Sequence, residues 1–79
     1  METIDKLPAK KGIIGVREIM KAVKQGKVKV VVFASNCPTE MMNKVSAAGN
    51  VELKKFTGDQ ADLGTRLGKP FPVAMAGYE

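Results

Sequence analysis

Apolar residues recur along this chain with two alternating periods. Val16, Ile19, Met20 and Val23 fall at i, i+3, i+4 and i+7, the stripe of an amphipathic helix. Arg17, Glu18, Lys21, Lys24 and Gln25 fall off that stripe. Gly15 opens the helix, and Gly26 is expected to end it as a left-handed stop. Just upstream, Ile13-Ile14 between Gly12 and Gly15 reads as a short strand bounded by turns. Val28 to Ala34 is β-branched and nearly all apolar, the pattern of a central strand covered on both faces. Pro38 suits the first position of a second helix, with Asn36 or Cys37 near its N-cap. Met41, Met42 and Val45 form its inward stripe, and Gly49 stops it.

Val51 to Phe56 alternates and predicts a short strand nearer a sheet edge. Asp59 is the expected N-cap of a third helix, with Asp62 as its capping partner and Leu63 and Leu67 facing inward. A mid-helix glycine costs about 1 kcal/mol relative to alanine, so a tightly packed neighbour is predicted at Gly64. Gly68-Lys69-Pro70 ends this helix, Phe71-Pro72 is a loop, and Val73 to Ala76 reads as the last strand. Residues 1–10 lack periodicity and read as a tail. The expected order β-α-β-α-β-α-β defines an α/β protein, a three-layer α/β/α sandwich on a mixed four-stranded sheet. Residues 11–79 would form its single domain, and loops beyond the carboxyl ends of the strands are where ligands usually sit.

Charge adds a direction to this picture. The 79 residues carry a net +5. Residues 1–29 hold eight basic side chains against three acidic ones, whereas residues 30–79 balance at five each. The whole excess lies in the first third, which suits phosphate contacts as well as it suits a solvated lysine face. Histidine is absent and Cys37 is the single cysteine. That excludes a standard zinc site, an internal disulfide and a histidine-assisted nucleophile. No metal, cofactor or catalytic residue is expected, and the protein reads as a non-enzyme. No apolar run approaches a membrane span, and the N-terminus lacks a signal-peptide layout. A cytoplasmic location is expected.

The chemistry worth weighing sits at the start of the first helix. Free backbone N–H groups around Gly15–Arg17 can take a phosphate oxygen, and Arg17 and Lys21 lie one turn apart. Glu18 among these cations either favours the helix dipole and pairs locally, or accepts hydrogen bonds from a base edge such as guanine. Gly12-Ile13-Ile14-Gly15 has the spacing of the KH clamp, but its two isoleucines suit a strand better. A P-loop is missing. Cys37 reads as a small buried residue.

Gly15-Val16-Arg17-Glu18-Ile19-Met20-Lys21, with the lysine- and valine-rich run from Lys24 to Ala34, resembles the signature of the kink-turn-binding ribosomal proteins of the L7Ae/L30e group. Phe56-Thr57-Gly58-Asp59, Asp62-Leu63-Gly64-Thr65, Leu67-Gly68-Lys69-Pro70 and Val73-Ala74 are most similar to the L30e branch. The likeness runs over about residues 11–77. Arg17 stands where many members have asparagine, and the stretch from Pro38 to Phe56 is about one helical turn short. The resemblance implies an RNA partner, a sharply bent loop with sheared G·A pairs, within a ribosomal or other ribonucleoprotein particle. Carried over, Glu18 would read a guanine, Arg17 and Lys21 would contact a base edge or phosphates, and the Gly15–Val16 backbone would approach closely. Phe71, Pro72 and Val73 would cover an extruded base. Lys11, Gly12, Ser35 and Asn36 would be peripheral contacts, although Ser35-Asn36 also reads as a helix cap and Phe71 as a core side chain. The alternative is a protein-interaction or assembly module of the same fold that has lost specific RNA binding.

Overall fold

The computed structural model describes residues 2–8 and 12–79. Its elements run β1 (Glu2–Ile4), β2 (Ile13–Ile14), α1 (Val16–Lys24), β3 (Val30–Phe33), α2 (Thr39–Ala48), β4 (Glu52–Phe56), α3 (Gln60–Arg66) and β5 (Met75–Tyr78). The sheet order is β1-β4-β3-β5-β2, with β5 antiparallel to both neighbours and the other pairs parallel. The sheet is therefore mixed and has five strands rather than four. The extra strand is β1, inside the segment read as a tail. It pairs in parallel with β4, from Glu2 opposite Lys54 to Ile4 opposite Phe56. That pairing takes β4 off the sheet edge, and Lys54 bridges to Glu2 at 3.5 Å.

The period-2 alternation of the strands sorts side chains to two cores. Val31, Phe33 and Met75 face α1 and α2, where Ile19, Val23 and Val45 pack on them. Val32, Ala76 and Tyr78 face α3 and meet Leu63 and Phe56. This is the expected three-layer arrangement, with β3 at its centre. Val28 and Ala34 are buried just beyond the ends of β3. Met20, Met41 and Met42 fill space at the margin of the first core.

Both α1 and α3 end as expected. Gly26 and Gly68 each have φ +73°, and Lys27 N–H donates to the Ala22 carbonyl as Lys69 N–H does to that of Gly64. This is the Schellman pattern, which satisfies carbonyls the helix end leaves free. Gly49 also follows its helix, but its φ of 171° is extended. A Cβ there would press on Val23 at 2.9 Å, so a glycine lets α1 and α2 approach. Several boundaries shifted, β3 narrowing to Val30–Phe33 and β4 starting at Glu52. Pro38 is the N-cap of α2 rather than its first residue. The last strand starts at Met75, two residues beyond Val73, because the chain still bends at Ala74.

With β1 to β4 parallel, the starts of α1, α2 and α3 and the loop entering β5 all lie at one end of the sheet.

Candidate functional site

At that end, Gly15 turns the chain from β2 into α1 with φ +99° and ψ 123°, a conformation available to glycine and costly for any residue with a Cβ. Ile19 N–H donates to the Gly15 carbonyl at 3.0 Å, and no side chain caps the helix. Helix geometry therefore leaves the N–H groups of Val16, Arg17 and Glu18 without intrahelical acceptors.

Opposite this turn runs the segment from Phe71 to Ala74, fastened to α3 and to β3. Val73 N–H donates to the Gln60 carbonyl at 3.0 Å, and Ala34 N–H to that of Ala74 at 2.9 Å. Phe71's carbonyl lies against Gly64, where a Cβ would overlap the carbonyl oxygen. The tight neighbour predicted at the mid-helix glycine is thus the loop itself. Gln60 is held in turn by Asn36, whose Oδ1 accepts from Gln60 N–H at 2.9 Å. Asn36 therefore serves α3 from a distance, alongside the Asp59–Asp62 capping box expected there.

Ile14, Gly15 and Val16 on one side and Phe71 to Met75 on the other line an open, mainly apolar cleft of about 350 Å³. Phe71 is 50 % exposed, a large hydrophobic side chain left in solvent, so it is not a core residue. Pro72 is exposed beside it. Val73 is only 5 % exposed and packs in the α3-side core, so it anchors the wall.

The fold thus brings Gly15, Val16, Phe71, Pro72 and Val73 to one cleft. Glu18 and Lys21 lie elsewhere on α1, lining a recess of about 390 Å³ with Ile13, Ala22, Gln25 and Lys27. Arg17 is exposed and lines neither. Among the described residues Glu18 forms no ion pair with Lys21 and no capping bond, so local pairing does not account for it.

The peripheral candidates scatter. Gly12 lies against the Tyr78 ring, Ser35 N–H donates to the Gly58 carbonyl, and Lys11 falls outside the described residues. Ile14, Ala74 and Met75 are cleft residues that the sequence reading did not assign. Nothing local marked them: Ile14, Ala74 and Met75 were legible only as strand residues, and the cleft forms where β2 and β5 meet. Cys37 is buried in the α1/α2 core, and burial pushes its thiol pKa up. Among the described residues no group of three or more acidic, cysteine or histidine side chains could hold a metal. No helix among them is long and apolar enough to cross a membrane.

A three-layer sandwich with a turn-and-loop cleft at one end of its sheet defines a class to which the sequence relatives also point. Residues 2–78 match the family described as the ribosomal protein L7Ae/L30e/S12e/Gadd45 family. The large ribosomal subunit protein eL30 of Archaeoglobus fulgidus is 37 % identical over 76 residues, covering 94 % of this chain and 87 % of that protein. The eL30 protein of Methanosarcina mazei is 41 % identical over 64 residues, covering 81 % of this chain and 61 % of the relative. For that of Methanoregula boonei the values are 36 % over 62 residues, 78 % and 64 %. The chain thus spans less than two thirds of the length of the last two relatives. A solved structure from Bacillus halodurans, described as a protein with unknown function, shares the fold with a TM-score of 0.67. It is 22 % identical and is matched over 85 % of this chain and 69 % of that one. The chain belongs to the L7Ae/L30e/S12e/Gadd45 family. Within it, the eL30 relatives put the chain on the L30e branch.

Proposed function

We propose that the protein binds kink-turn RNA as a ribosomal or small ribonucleoprotein component in the cytoplasm, without catalysis. The observation that carries this reading is the cleft between Gly15–Val16 and Phe71–Pro72, with Phe71 half exposed at its lip. An apolar cleft beside a helix start suits a nucleotide: its phosphate meets free N–H groups and its base meets an aromatic face. Glu18 and Lys21, one turn further along and unpaired among the described residues, are free to meet a base edge and a phosphate. A carboxylate accepts from a guanine edge and discriminates among bases, whereas a lysine on a phosphate does not. Relatives named as large ribosomal subunit proteins support the particle assignment.

Fluorescence titration against a kink-turn RNA and a plain duplex of equal length tests this. The kink-turn should bind more tightly, and Glu18→Ala or Lys21→Ala should each weaken it by about 1–3 kcal/mol. Equal affinity for the two RNAs would remove the specific reading. No binding even at low salt would leave a protein-interaction module.

A further inference from the structure

The basic excess of the first third extends past Lys21. Arg17, Lys21 and Lys24 stand at i, i+4 and i+7, so they share one exposed face of α1 over about 10 Å. The Schellman turn folds Lys27 back against the helix end, its N–H on the Ala22 carbonyl at 2.9 Å. Lys27 therefore lines the same recess as Lys21. Among the described residues the ion pairs belong to Lys54, and none of these four cations is paired with a carboxylate. Helix electrostatics accounts for only part of the stripe. Lys24 and Lys21 complement the negative end of α1, but Arg17 lies in the first turn, at the positive end, where a cation is disfavoured. An anion running along the helix would compensate all of them together.

We propose that Lys24 and Lys27 continue the RNA surface beyond Lys21 and contact the phosphates of the stem flanking the bound loop. This inference rests on the RNA-binding reading above and adds residues that act through charge rather than through base recognition.

The test is the salt dependence of binding between 50 and 200 mM monovalent salt, for the wild type, the Lys24→Gln/Lys27→Gln double variant and a Lys55→Gln control on β4. Each lost phosphate contact lowers the slope of log K against log salt by about 0.7–0.9, so the double variant should lose roughly 1.5. Its preference for a kink-turn over a plain duplex should stay unchanged, because Glu18 is intact. The control should keep the wild-type slope. An unchanged slope in the double variant, or an equal fall per residue in the control, would overturn the proposal. A wild type with no preference would instead count against the kink-turn reading, while the contrast in slopes would still decide this one.

Discussion

Gly64 and Phe71 lie on either side of one contact, and mutation should separate a structural role at Gly64 from a binding role at Phe71. Alanine at Gly64 would gain about 1 kcal/mol of helix propensity. Its methyl would meet the Phe71 carbonyl, a backbone group that cannot rotate away, and overpacking of this kind costs about 1–3 kcal/mol. The collision outweighs the propensity, so Gly64→Ala should lower the melting temperature and, by displacing the loop, weaken RNA binding as well. Phe71→Ala removes a half-exposed ring and should change stability by no more than about 0.5 kcal/mol. It should cost about 1–3 kcal/mol in RNA affinity. Thermal melts beside titrations of both variants separate the two roles, and a large stability loss in Phe71→Ala would mean the ring is structural. The tight spot at Gly64 was legible because a mid-helix glycine demands a reason. The exposure of Phe71 was not, since an aromatic between two prolines suits a core or a surface equally well.

The helices and central strands follow from local pattern, whereas the elements that depend on partners distant in sequence do not. The stripe of α1, its Gly26 stop and the Asp59–Asp62 box of α3 are written within a few residues each. β1 has only three residues and one partly buried apolar side chain, Ile4, and its hydrogen-bonding partner is β4. Nothing within residues 2–4 indicates that pairing. The cleft is similar: Gly15 stood out as the opening of a helix and Phe71 through the family resemblance, but only the β5–β2 pairing brings their neighbourhoods together. Asn36 shows the same effect on a single cap. Its sequence position suggests α2, yet its carboxamide accepts from Gln60 at the start of α3. Asn36→Ala should therefore cost about 1 kcal/mol. Amide hydrogen exchange should show the opening at Gln60 and the first turn of α3 rather than in α2, and faster exchange confined to α2 would contradict the assignment.

For the molecule as a whole, the two cores each contain one group that resists ionisation. Cys37 lies on the α1/α2 side and Tyr78 on the α3 side, and burial raises both pKa values, from 9.0 and 10.0 respectively. Unfolding exposes them, so above pH 9 the unfolded chain releases protons that the folded chain still holds. The folded state then binds more protons than the unfolded state, and stability falls as pH rises. The contribution is complete below the unfolded pKa values and is lost as pH climbs through the folded ones. With no histidine in the chain, no side chain of ordinary pKa titrates between about pH 6 and 8. Urea midpoints should accordingly be flat across that range and decline from about pH 9 upward. Cys37→Ala should remove the first part of the decline and Tyr78→Phe the later part, whatever each does to stability at pH 7. Because the two groups sit on opposite faces of one sheet, in separate clusters, their effects should add in the double variant. A decline that survives both substitutions would contradict the assignment of the alkaline weakness to these two buried groups.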